Sequence, residues 1–374
     1  MAAIQLSPLE IASGLVLGEA EGGPALVGCA ASVEPRAALE QALLPPLRRS
    51  PCLVSFSGGR DSSAILTVAT DLARREGLEP PVPITVRFPG DPETDESSWQ
   101  ELVVRELGIG DWQGIQAGEE LGVLGRVARA ALERHGLLWP PNLHVLVPLL
   151  EAASGGSLIT GVGGDELFGG LPRLRRAPLP TAVRRARAQR GASIDLPWLR
   201  PPARSALRAA FAAEEAGKPV RWRRWVGWVA RRRQLELLRE NGQGLALDAG
   251  TELVHPFLDP GLLAALARHG SRPRRATRAT VLNVLCEGIL PKAVLSRTDK
   301  ADFTRALWGD EAREFAATWN GKGPASELVD AERLRQTWAA DPSDFRSATA
   351  LQAAWLSEGP TGGRLVDDAP RRGS

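Results

Sequence analysis

No tyrosine occurs among the 374 residues, methionine appears once, and lysine stands only at positions 218, 292, 300 and 322. Nearly all of the 46 basic residues are therefore arginine, which reads as compositional bias rather than a built surface and makes each lysine easier to notice. The three cysteines, Cys29, Cys52 and Cys286, are scattered and odd in number. They exclude a disulfide framework and fit a reducing compartment. The four histidines, His135, His144, His255 and His269, show neither HExxH nor clustered ligand spacing. No apolar run reaches the roughly 20 residues that a membrane span requires. The N-terminus carries acidic residues where a secretion signal would be charged and then apolar. A net charge of +2 supplies no global field that would direct the chain to nucleic acid or membrane. The expectation is a cytoplasmic protein without membrane contact, whose 43% hydrophobic content can fill a sizeable core.

What is present is an alternation of short β-rich runs and helix-period segments. CLVSF (52–56), VPITVRF (82–88), WQGIQ (112–116) and SLITGV (157–162) read as strands. Helices are expected over 61–76, in WQELVVRELG, over 119–136 and over 142–154. Short connections between them predict a doubly wound, mostly parallel α/β sheet. Beyond about residue 171 strand signals stop, and proline-punctuated, arginine-rich helical segments follow. The expected organisation is a short N-terminal segment (1–45), an α/β part (46–172), a mainly helical part (173–360) and a disordered tail (361–374).

The stretch LVSFSGGRDSSAILTVA (53–69) concentrates chemistry in one turn. A strand running through Ser57, Gly58, Gly59, Asp61 and Ser62 into a helix places backbone N–H groups and hydroxyls at a helix N-terminus, where phosphate oxygens are favoured. The turn matches neither G-x-x-x-x-G-K-[ST] nor G-x-G-x-x-G. A carboxylate beside phosphates is repulsive unless a cation bridges them, and magnesium, which takes oxygen ligands, resolves the conflict.

SFSGGRDSSA resembles the pyrophosphate loop of the asparagine synthetase-like ATP pyrophosphatases. Further segments carry the same resemblance. TVRFPGDPETDESSWQELVVRELG (85–108) is similar to the family's second strand, whose backbone contacts adenine, and LITGVGGDELFGG (158–170) to its second glycine loop. ELVHPFLDPGLLAAL (252–266) resembles the PFLD segment, and LPKAVLSRTDKADF (290–303) the C-terminal lysine segment. The resemblance covers roughly residues 46–358 and implies the PP-loop type of fold, with ATP and Mg2+ as cofactors. It implies nucleotide contacts at Phe56, Ser57, Gly58, Gly59, Asp61, Ser62, Val86, Thr160 and Gly161, and a metal shared by Asp61 and Asp165. Lys300 would stabilise negative charge as the amide forms, with Phe303 at the aromatic position.

Departures from the pattern direct the substrate reading. Only about fifty residues precede the first loop, so no glutaminase domain is recognisable and a separate amine or ammonia source is expected. Val162 stands where synthetases carry an acidic residue and β-lactam-forming relatives a tyrosine, and Val254 replaces an arginine. Valine transfers no proton and accepts no hydrogen bond. Glu252 is then the expected base, and aspartate is disfavoured against a small-molecule or peptide carboxylate. The expected activity is an ATP-dependent carboxylate–amine ligase, asparagine synthase-like or similar to the lasso-peptide cyclases. The alternative is a degenerate binding protein that serves a partner enzyme or leader peptide. Nucleic-acid binding is not expected: Trp222, Trp225 and Trp228 recur at a spacing that reads as a buried helical stripe.

Overall fold

The computed structural model describes residues 5–20, 33–169, 194–219, 221–269, 277–298, 301–323 and 325–359. A five-stranded sheet in the order β3-β2-β1-β4-β5 lies at the centre. Its strands are β1 (Cys52–Ser55), β2 (Val82–Arg87), β3 (Gln113–Gln116), β4 (Ser157–Ile159) and β5 (Glu252–Val254). Every pairing is parallel. The chain leaves β1 for β2 and β3 on one side, then crosses back to place β4 on the other. Such a reversal opens a crevice beyond the carboxyl ends of the strands, the usual ligand position in open α/β sheets. Here the crevice falls between β1 and β4, and the loops that follow these strands are the two glycine loops.

Helices cover both faces, which is why successive β1 residues are both buried. Val54 packs with Ile65 and Val68 of the Arg60–Arg75 helix and Leu43 of Pro35–Leu47, whereas Leu53 packs with Ile84, Leu158, Leu149 and Leu245 on the opposite face. A separate core in the helical part gathers Trp198, Trp308 and Trp338 around Leu351. The Pro8–Ser13 helix joins it, with the Trp198 indole donating to the Ala12 carbonyl at 2.8 Å. Trp222, Trp225 and Trp228 lie buried along the Trp222–Ala230 helix, as their spacing predicts, and so present no stacking surface to nucleic-acid bases. Among the described residues no helix is long and apolar enough to cross a membrane.

The sheet and the helical C-terminal part agree with the sequence reading; the differences are local. β5 was not expected, because three residues are too few to show alternation. It exists because β4 offers an edge: Glu252 N–H donates to Gly156 and Thr160 N–H to the Val254 carbonyl, each at 3.0 Å. The helix expected over 119–136 is a 3-10 turn, Glu119–Leu121, followed by Arg126–His135. Gly125 makes the break, since a Cβ there would sit 2.3 Å from the Glu119 carbonyl oxygen. Similarly, 142–154 divides into Leu143–Leu146 and Val147–Ala152, with proline in the first turn of the second piece. The Pro35–Leu47 helix carries Pro45 and Pro46 in its last turn.

Candidate active site

The first glycine loop is folded by its own hydroxyls. Ser62 Oγ lies 3.1 Å from Ser57 Oγ, accepts from Ser57 N–H at 3.3 Å and reaches the Gly59 carbonyl at 3.2 Å, while Gly59 N–H donates to Ser57 Oγ at 3.2 Å. Gly59 caps the Arg60–Arg75 helix without a side-chain acceptor, so the N-terminal amides of the helix are not bonded to a capping side chain.

The second loop packs directly on the first. A Cβ on Gly161 would lie 2.8 Å from Ser62 N, and one on Gly164 would lie 2.4 Å from Asp61 Cγ. These two positions are glycine because the Ser62 backbone and the Asp61 carboxylate occupy the space a side chain would need. Gly164→Ala is accordingly expected to displace the Asp61 carboxylate while leaving every charged group in the chain. ATP–pyrophosphate exchange should fall on the order of 10²-fold, the usual cost of misplacing a reacting group by about 1 Å. Exchange within a few-fold of wild type would contradict this packing.

Asp61 and Asp165, which follow β1 and β4, meet one cation. Arg278 donates from Nη1 to Asp165 Oδ1 at 2.8 Å, from Nε to Asp61 Oδ1 at 3.1 Å, and from Nη2 to Asp61 Oδ2. Burial holds the Asp61 carboxyl up at about 6 even though the Arg278 charge pulls it down. The two carboxylates thus share one cationic position, which the Arg278 guanidinium fills. No group of three or more His, Cys, Asp or Glu forms a ligand set among the described residues. A magnesium ion carrying nucleotide needs none, since it is held by one or two carboxylates with phosphates and water supplying the rest. Asp61 and Asp165 fit that role.

A cavity of about 200 Å³ opens beside the first loop, lined by Phe56, Ser57, Val86, Phe88, Asn142 and Phe303, among others. Phe303 meets Phe88 edge-on at 5.8 Å. Phe56 is fixed from behind: its N–H donates to Ile84 at 2.8 Å, and its carbonyl accepts from Thr85 Oγ1 at 2.6 Å. Of the expected nucleotide contacts, Phe56, Ser57 and Val86 line this cavity, Gly58 and Gly59 lie in the loop that follows, and Asp61, Ser62, Thr160, Gly161 and Asp165 belong to the place where the two loops meet.

Glu252, the expected base, is not among the residues brought together there. It pairs with Ser157 at the amino end of β5 and forms an ion pair with Arg49 at 3.3 Å. The glycine loops lie at the other end of the sheet. Lys300 and the tail over 361–374 fall outside the described residues.

Two side chains at the crevice carried no usable signal in the sequence. Arg278 is one arginine in an arginine-rich chain and lies 217 residues from Asp61. His255 adjoins the PFLD segment, and its Nδ1 sits 2.7 Å from Thr160 Oγ1, which also accepts from Val162 N–H at 3.3 Å. Burial, with the Arg239 charge, lowers His255 to about 4, so the ring is neutral at pH 7. Because the folded value lies below the ordinary 6.5, the native protein binds fewer protons than the unfolded chain between these limits. The stability it contributes is complete above pH 6.5 and is lost as pH falls toward 4. Roughly 2 kcal/mol should be gone by pH 5. His255→Asn removes that loss, so denaturant titrations should show a shallower acid decline than wild type. Parallel declines would contradict the assignment.

The family model for asparagine synthase matches residues 36–357. The chain belongs to the asparagine synthase family. Among curated proteins no match is found. Membership in the asparagine synthase family brings ATP-dependent amide-forming chemistry, with carboxylate and amine or ammonia as the general substrates. The matched span contains both glycine loops, Arg278, His255 and the lysine segment.

Proposed function

We propose that this member of the asparagine synthase family activates a carboxylate with ATP and passes the acyl group to an amine. The observation that carries the reading is the convergence of Asp61 and Asp165 on a single cationic position beside a loop of uncapped amides. A substrate carboxylate oxygen attacks the α-phosphorus, the bond to pyrophosphate breaks, and an acyl-adenylate forms. The amine nitrogen then attacks the acyl carbon, AMP leaves, and the amine gives up a proton. Mg2+, held by Asp61 and Asp165, would neutralise the departing pyrophosphate. Ser57, Ser62 and the helix amides orient the phosphates, and the cavity between Phe56, Val86 and Phe303 takes the adenine ring. Such positioning and charge neutralisation account for most of the rate in phosphoryl-transfer chemistry. Lys300 is the proposed stabiliser of charge in the second step.

Val162 and Val254 leave half-buried apolar surface at the carboxyl ends of β4 and β5. Apolar lining there favours a natural-product or peptide carboxylate over the zwitterion of aspartate, with the amine supplied within the same substrate or by a partner protein. Pyrophosphate release on adding Mg-ATP with aspartate, with aspartate and ammonium, and with amine-bearing peptide acids tests this directly. Release fastest with a peptide acid is expected. Rapid asparagine formation from ammonium would return the chain to primary metabolism. One observation favours a second reading, a nucleotide-binding protein without turnover: no acid–base side chain replaces Val162. That reading requires ATP binding without pyrophosphate release for any acid.

A further inference from the structure

The first glycine loop is also gripped from behind. The Ser57 carbonyl accepts from Gln100 Nε2 at 3.3 Å, and the Gly58 carbonyl accepts from Arg297 Nη1 at 3.1 Å. Gln100 belongs to the Ser97–Glu106 helix, and Arg297 follows the Lys292–Ser296 helix. Arg297 closes an ion pair with Glu96 and lies 5.1 Å over the Trp99 ring. Glu96, Gln100 and Arg297 are all buried. Gly58 adopts φ 78°, and a Cβ there would meet Gln100 Cγ at 2.9 Å, so the loop rests on the helix itself.

In a planar trans peptide the carbonyl and the following N–H point in opposite directions. Fixing the Ser57 oxygen on Gln100 therefore turns Gly58 N–H to the other side of the loop, where it has no acceptor among the described residues. The same grip reaches the lysine segment. Glu96 Oε1 accepts from Ala301 N–H at 3.4 Å as well as from Arg297, and Asp302 N–H donates to the Glu93 carbonyl at 3.3 Å. Residues on both sides of Lys300 are thus tied to the carboxylate that holds the phosphate loop, across 239 residues of sequence between Gly58 and Arg297. A buried ion pair is seldom retained for stability, since apolar replacements of similar volume are often as stable.

We propose that Glu96, Gln100 and Arg297 are positioning residues that set the phosphate loop and the Lys300 segment as one unit. The role in catalysis rests on the reading above, that the loop takes ATP phosphates and Lys300 stabilises charge in the second step. Arg297→Lys keeps the charge beside Glu96 but loses the fork that reaches two acceptors at once. Gln100→Met keeps volume and removes the donor to Ser57. The double variant Glu96→Gln/Arg297→Met leaves no unpaired buried charge, and it substitutes for Arg297→Lys should that variant not fold.

Hydrogen exchange in the nucleotide-free protein decides the coupling without reference to activity. Arg297→Lys, or the double variant, should speed exchange roughly tenfold in peptides covering 56–60 and 297–303 together, with the interior of the Arg60–Arg75 helix unchanged. Loosening of one peptide alone, or of neither, overturns the proposal. With Mg-ATP and an accepted acid, Gln100→Met should raise the ATP KM about tenfold at nearly constant kcat, whereas Arg297→Lys should lower kcat about tenfold or more. Wild-type constants in both variants would also overturn it. A wild-type protein that binds no ATP would instead overturn the functional reading, and the exchange measurement would still decide the coupling.

Discussion

Asp61→Asn is expected to abolish ATP–pyrophosphate exchange, and Asp165→Asn to do the same, each to below about one part in 10² of wild type, the scale of losing one charge stabiliser in a closed site. Each change removes an anionic group from a position where two loops have been brought together to face positive charge. The side chain keeps its shape, so the loss is electrostatic rather than steric. The fold should survive, because the core beneath the loop (Val54, Phe56, Ile65, Val68) does not depend on the carboxylates. Circular dichroism and a melting temperature within a few degrees of wild type would separate loss of the site from loss of the protein. Wild-type exchange rates in either variant would remove both aspartates from the mechanism.

Lys300→Met should show the opposite division of effects. Asp61, Asp165, the serine hydroxyls and the helix amides are unaltered, so ATP should still bind. Product amide should form on the order of 10²–10³-fold more slowly, because a charge placed where negative charge develops contributes several kcal/mol to a barrier. Nucleotide affinity measured by calorimetry, set beside single-turnover amide formation, gives both numbers. If product formation stayed within a few-fold of wild type, Lys300 would be an ordinary surface lysine, notable only because lysine is scarce in this chain. The Glu96–Arg297 pair sharpens the expectation, since one carboxylate holds the Arg297 guanidinium and the Ala301 N–H on either side of Lys300.

The two glycine loops were legible for a local reason. Strand, turn and helix N-terminus are contiguous in SFSGGRDSS and in LITGVGGDE, so both motifs are visible in the order of residues, although remote groups also hold the first loop. The alternation that predicts a parallel sheet is local in the same sense. Glu252 sits two positions before Val254, at the amino end of β5, and the order of residues alone does not say at which end of a strand a side chain will stand.

Sequence alone determined the class of fold and marked both glycine loops, with Asp61 and Asp165 as residues expected to work together. The tertiary structure decided which cation those carboxylates meet, which ring contacts Thr160, and what holds the phosphate loop from behind. Arg278, His255 and Arg297 lie 217, 95 and 239 residues from their partners. No propensity or period encodes such distances. They are settled only when β4 and β5 line up beside β1 and the C-terminal helices close over the sheet, because a hydrogen bond between remote residues forms after packing has brought them together. In a chain with 46 basic residues, nearly all of them arginine, position in the folded molecule is what distinguishes a working guanidinium from the rest.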